Sequence, residues 1–380
     1  MRIQLKAFAF CAALILVEPA HAADAQNNKP QVLISGFATL AAGKILGGSH
    51  DEAVDLEYHC PCFISDYAQN GVYEQRRMRF GPDSKLGVQG QVSSFDGRYS
   101  LTGQLVSRGA AGGNINLEWM YATAEVNSRL TFQIGRKRLP LFNYSDVQDV
   151  GHAHPWVHLP PQLYGWEVVN YNGANLRFRD QLGAWTINAN AFAGGETRND
   201  SGYWKIYNGK NTRTASKWSN IIGTEVKASQ GWLELRGLYM QSNTQNRIRD
   251  TDEQFSDPKK QRIYGLSVTA DFGGPFASAE LLSIDRKTDY GSDKAQLYSV
   301  GYRLGKYTPL FSYSNYQQKL TDDAASAEGH YTLSAVLRYD LNSTSALKVQ
   351  YDIWRDKSGS GFLSQHGDAR LLSVSYDLVF

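Results

Sequence analysis

The sequence predicts an all-β chain, a transmembrane antiparallel β-barrel of about sixteen strands with long extracellular loops and short periplasmic turns. Three observations predict it. Counting back from the C-terminus, Phe380, Leu378, Tyr376, Val374 and Leu372 are apolar, with Asp377, Ser375 and Ser373 between them. A period of two makes a strand with one greasy and one polar face. The mean hydropathy is −0.42, and beyond the N-terminus no apolar run reaches helix-spanning length, as in a barrel that shows lipid only half of each strand. Finally, short alternating runs recur along the chain, joined in turn by a short connection and a long one.

Residues 1–22 read as a cleaved signal peptide. Arg2 and Lys6 make the charged start, 7–17 is the apolar run, and Ala20-His21-Ala22 supplies the small residues of a cleavage site. The run is too short to span a bilayer. Residues 23–380 contain no linker or low-complexity block, so they are expected to form one barrel domain. Tyr 22, Trp 8 and Phe 16 stand against Met 4, and Gly 35 suits tight turns and small lumen-facing positions. Losing the leader removes Arg2, Lys6 and Glu18, taking the formal charge from +2 to +1. So small a net charge argues against a nucleic-acid partner.

The strands are expected in this order. Residues 32–43 come first, followed by a polar loop over 44–79. Residues 85–92 and 98–106 pair through Phe95-Asp96-Gly97, a strong hairpin signal. Residues 117–126 and 130–137 pair through Asn127-Ser128. The longest stretch without alternation, 139–167, separates them from 174–179 and 185–193, which turn at 180–183. A polar loop over 194–219 carries Tyr203, Trp204 and Tyr207. Then come 221–228 with 233–240, a charged loop over 243–261, 263–272 with 276–285, 297–304 with 307–316, 331–341 with 346–354, and 368–380. The count is sixteen, and long and short connections alternate in step.

Alternation also assigns faces. Tyr331, Leu333, Ala335, Leu337 and Tyr339 face lipid, as do Leu347, Val349, Tyr351 and Ile353; Thr332, Ser334, Lys348 and Gln350 face the lumen. A cation facing lipid at midplane costs roughly 2–4 kcal/mol. Lys85, Arg98, Arg108, Arg129, Arg177, Arg179, Lys227, Arg236, Arg303, Arg338 and Lys348 are therefore expected inside, with Glu125, Glu225, Glu234, Asp271, Glu280, Asp340 and Asp352. Such a lumen is hydrated, and its cation excess predicts a mild anion preference. Tyr121, Trp232 and Trp354 are inward aromatics by the same parity.

The stretch following the fifth strand is rich in apolar residues, including Leu139, Leu141, Phe142, Val150, Trp156 and Val157, and is stiffened by Pro140, Pro155, Pro160 and Pro161. Such a loop needs a wall to pack on. Leader, alternating strands, loop parity and terminal Phe380 together resemble the trimeric general porins of Gram-negative outer membranes, across the whole mature chain. The resemblance implies a third loop folded into the lumen to narrow the pore, and a C-terminal aromatic, Phe380, read by the barrel-assembly machinery. It further implies a homotrimer embedded in membrane lipid and lipopolysaccharide. Arg136, Lys137, Arg138, Asp146, Asp149, His152, His154 and Glu167 are the candidate constriction residues. An acid-rich eyelet motif is not matched residue by residue.

His152, His154 and His158 invite a metal reading, but three loop histidines without cysteine or helix are a weak ligand set, and no metal or other cofactor is expected. Cys60-Pro61-Cys62 reads as a small disulfide ring in an exported protein; a redox pair is the alternative, and zinc lacks a second cysteine pair. Nucleophile-elbow, zinc-protease and phosphate-loop motifs are not found, so no catalytic residues are expected. The function predicted is passive diffusion of small hydrophilic solutes and ions. The alternatives are a substrate-selective channel for sugars or anions, an outer-membrane barrel enzyme, and an adhesin.

Overall fold

The structure, a computed structural model, describes residues 30–49, 57–74, 77–286, 291–321, 324–362 and 367–380. The expected leader, residues 1–22, lies outside the described residues. Sixteen antiparallel strands form the barrel: β1 Gln31–Gly48, β2 Lys85–Ser93, β3 Tyr99–Arg108, β4 Ile115–Glu125, β5 Leu130–Arg138, β6 Asn170–Leu182, β7 Trp185–Arg198, β8 Thr214–Gln230, β9 Leu233–Ile248, β10 Lys259–Asp271, β11 Pro275–Arg286, β12 Ser292–Tyr302, β13 Tyr307–Lys319, β14 Gly329–Asp340, β15 Ser345–Asp356 and β16 Ala369–Val379. Each pairs with its sequence neighbour, and β16 closes on β1 from Phe37↔Val379 to Gly48↔Ala369. The terminal residue finishes the ladder, since Gly36 and Phe380 exchange backbone hydrogen bonds of 2.8 and 3.0 Å. A closed sheet leaves no unpaired backbone edge in lipid.

The outer face carries the expected apolar set. Leu333, Leu337, Leu347 and Val349 are exposed, while Thr332, Ser334, Lys348 and Gln350 between them are buried. Aromatic pairs mark the borders of the band: Tyr307 with Tyr339 at 4.8 Å and Trp232 with Phe272 at 4.9 Å on the short-turn side, Tyr239 with Tyr264 at 5.4 Å and Tyr313 with Tyr331 at 5.8 Å above. Trp232 is thus outside the barrel, contrary to the parity reading. It sits in the turn before β9, where strand parity no longer applies.

The strands run farther toward the long-loop side than alternation indicates. β1 reaches Gly48, β7 reaches Arg198 and β8 starts at Thr214. The polar loop expected over 194–219 shrinks to residues 199–213 around a short helix, α1 (Gly202–Asn208). The charged loop expected over 243–261 shrinks to 249–258. Above the lipid band both faces of the wall are polar, so the periodic signal fades while the hydrogen-bond ladder continues. The first long loop holds a hairpin of its own, Cys62–Asp66 with Gly71–Glu74.

Candidate channel constriction

The third long connection, residues 139–169, leaves β5 and returns at β6 after running inside the barrel. Its apolar residues hold it there. Leu139, Phe142, Trp156 and Leu163 are buried against Leu238 and Met240 of β9, Leu282 and Ile284 of β11, Leu310 of β13 and Val336 of β14. Each fully buried side chain of this size is worth roughly 1.5–3 kcal/mol, so the loop is a packed element. These wall residues break the polar rule for inward positions and give the loop apolar patches to lie on.

Polar contacts fix its course. Trp156 Nε1 donates to Ser312 Oγ at 3.1 Å, the Val157 N–H to Gln350 Oε1 at 2.8 Å, and Tyr164 Oη to Glu280 Oε2 at 2.7 Å. Lys348 Nζ donates to the Trp156 carbonyl at 2.8 Å and pairs with Asp377 at 3.0 Å. Arg338 Nη1 donates to the His152 carbonyl at 2.7 Å. Near the start of the loop, Asp149 takes a bidentate pair from Arg108 at 2.6 and 2.8 Å and a third bond from Arg138 at 2.5 Å. Glu118 binds the same two guanidinium groups at 2.7 and 3.0 Å. Burial opposes the charge on Asp149, but Arg108 and Arg138 outweigh it and hold its carboxyl well below the usual carboxylate range. His158 sits between Asp83 at 3.0 Å and Asp352 at 3.2 Å. Burial works against its charge, yet the two carboxylates push the imidazole up to about 10.

Just before Asp149 the loop is less covered. Asp146 is exposed there, with Asn143 and Tyr144 half-buried beside it. Lys137 Nζ lies 4.7 Å over the Tyr121 ring, within electrostatic reach of Asp146, Arg177 and Glu225. Arg177 and Arg179 are exposed on the inward parity of β6. Among the described residues, Lys137, Arg177 and Arg179 form no ion pair within 4.0 Å, whereas Glu225 with Arg236 and Asp271 with Arg303 are paired on the facing side. The exposed acid Asp146 of the loop thus lies across a gap from the basic side chains of β5 and β6.

A family model described as Gram-negative porin matches residues 9–358. The chain belongs to the Gram-negative porin family. It is an outer-membrane channel protein of the β-barrel type. Its fold matches OmpF of Salmonella typhi in complex with daunomycin, at TM-score 0.61 and 11% identity over 93% of this chain and 99% of that one. It also matches an anion-selective porin from Comamonas acidovorans, at TM-score 0.58 and 14% identity over 93% of this chain and 100% of that one. OmpT, an outer membrane protein of Vibrio cholerae in its trimer form, matches at TM-score 0.56 and 9% identity over 92% and 99%. At these identities the likeness is one of fold. No curated protein sequence matches the chain.

The porin brings together only part of the residue set expected at the constriction. Lys137 and Asp146 flank the gap. Arg138 and Asp149 are locked in the buried ion cluster. Arg136 pairs with Glu196 at 2.8 Å. His152 and His154 are not pore-lining: both are buried against the wall, and burial, then the nearby Arg338 and Lys348, holds His152 down at about 4. Glu167 is buried too and accepts hydrogen bonds from Trp218 at 2.6 Å, Trp204 at 2.8 Å and Thr244 at 3.1 Å. Among the expected lumen cations, Lys85, Arg108, Arg338 and Lys348 are inward but engaged with the third loop or the barrel acids. Arg98 and Arg129 are exposed in short turns, paired with Asp96 and Asp180, and so lie at the rim, outside the lumen proper. Parity failed for them because neither is in a strand. Cys60 and Cys62 form a disulfide. Tyr171, buried beside Phe192 in the cluster that holds the loop, was missed: it lies at the start of β6, where the expected strand had not yet begun.

Proposed function

We propose that this porin passively conducts small hydrophilic solutes and ions with an anion preference, and that it does no chemistry on them. The observation that carries the reading is the imbalance at the gap. Among the described residues, Lys137 and Arg177 have no ion-pair partner on the wall, while the third loop offers Asp146 as an exposed acid. Inside a narrow pore, unpaired charge sets the local counter-ion concentration. The fold likeness to a porin described as anion-selective supports the same reading.

The working assembly is a homotrimer, with contact through β1 to β5. There the outer face is flat and largely aliphatic: Leu86, Val88, Leu101 and Leu105 are exposed, and Gly90 pairs with Gly103. The paired aromatic girdle lies on β9 to β14 instead, where lipid is expected. The likeness to a chain described in trimer form agrees. On the lipid-facing side, Arg262, Lys294 and Arg370 sit at the extracellular ends of their strands, where the phosphates of lipopolysaccharide would meet them. The exposed ring of Phe380 is left available to the assembly machinery.

The test is a planar-bilayer measurement on refolded protein under a salt gradient. Conductance steps in threes with a reversal potential of anion-selective sign are expected. Cation selectivity would shift control to Asp146, and absence of conductance would refute the channel reading.

A further inference from the structure

The described part of the first long loop turns into the barrel. Its hairpin is lodged inside the mouth. Phe63, Ile64 and Tyr73 are 0–1% exposed. Phe63 packs on Trp354 of β15 at 5.6 Å and on His158 of the third loop at 5.2 Å. Tyr67 stacks on His330 of β14 at 5.9 Å and hydrogen-bonds its Nε2 at 3.1 Å. Tyr73 Oη donates to Asp83 at 2.8 Å, the carboxylate that also holds His158.

The barrel is shaped to receive it. A Cβ built at Gly43, on the inner face of β1, would lie 2.5 Å from the Tyr73 ring, and one at Gly165 of the third loop 2.6 Å from Tyr67 Cβ. Either residue with a side chain would expel a tyrosine that now fills the space. From above, α1 closes on the hairpin: Tyr58 Oη donates to the Lys205 carbonyl at 3.2 Å, and Lys210 pairs with Glu74 at 2.9 Å. The Cys60–Cys62 disulfide closes a small ring at the start of the hairpin's first arm.

We infer that this hairpin is a second constriction, on the extracellular side of the third loop, and that it sets the solute size limit of the channel. The two loops are stacked in one lumen and share the His158–Asp83 contact. A solute must first pass the hairpin and α1 before reaching Lys137 and Asp146. The inference rests on the channel reading above, and the test separates the two.

Residues 60–74 are replaced by a short Gly-Ser linker in the full chain. Folding is checked by heat-shifted migration in SDS gels. Single-channel conductance and liposome swelling with oligosaccharides of graded size are then compared with wild type. The variant should conduct at least about twofold more and admit larger oligosaccharides. A conducting wild type with an unchanged, folded variant overturns the inference and leaves the channel reading intact. A silent wild type with a conducting variant supports it, since the hairpin then closes the path. If both are silent, the channel reading falls, and this inference with it. Should the replacement fail to fold, Tyr67→Ala keeps the chain length and opens the same packing; it should raise the size limit, and an unchanged limit overturns the inference.

Discussion

Two stretches of the inner wall obey the same alternation and have different fates. On β9 to β15 the wall lies under the third loop and the first-loop hairpin. Leu238, Leu282 and Leu310 pack there, and Arg236, Lys348 and Asp352 are almost fully buried. Toward the short-turn end of β6 no loop covers the wall, and Arg177 and Arg179 remain open to water. An inward charge counts toward selectivity only where no loop neutralises or covers it. That is why a tally of inward cations overstates the basic field, and why Lys137 and Arg177 should outweigh Arg108, Arg338 and Lys348.

The largest effect should come from the ion cluster that ties the third loop to β3, β4 and β5. Asp149→Ala leaves Arg108 and Arg138 with only Glu118 between them. Removing one partner of a buried ion cluster typically costs about 3–5 kcal/mol. The third loop should detach, giving a lower unfolding midpoint in denaturant and larger, noisier conductance steps. Equal midpoints would mean the loop is held by packing alone. Next in size is the open side. Lys137→Glu combined with Arg177→Glu should reverse the sign of the reversal potential while the barrel still folds and inserts. Selectivity unchanged by this pair would place the field elsewhere.

A smaller effect is expected from pH. The folded pKa of His158, about 10, lies above the ordinary histidine value. Its contribution to holding the loop is complete below the ordinary value and is lost as pH rises toward about 10. Asp83 behaves in the opposite sense. Burial raises it, but His158 and Lys85 lower it further, so its contribution is lost only as pH falls below the usual carboxylate range. Conductance noise should therefore be lowest in mildly acidic solution and grow on the alkaline side. His158→Gln should abolish the alkaline growth, and an unchanged profile would remove His158 from the latch. The smallest effect belongs to the rim: Arg98→Ala and Arg129→Ala should leave reversal potential and conductance unchanged, because both charges are exposed and paired in the turns.

Much of this architecture was legible in the chain. Each strand shows one face to lipid, and the cost of a misplaced polar group is paid residue by residue, so the pattern is written locally. Sixteen strands, their order and the parity of loops followed. Strand ends above the membrane did not, because both faces are wet there and alternation loses its cause. At the constriction, apolar residues on inward positions, such as Leu282 and Ile284 on either side of Ser283, were the available sign that a loop would lie on the wall.

Alternation thus settled the barrel, its lipid face and the set of inward charges, since side-chain direction in a strand depends only on position along it. Which of those charges meet solute was decided by tertiary structure. Trp156 lodging at Ser312, Asp149 reaching Arg108 and Phe63 wedging against Trp354 join residues far apart in sequence. Such contacts arise only once the closed wall has brought them within reach, and they leave some inward charges covered and others open to water.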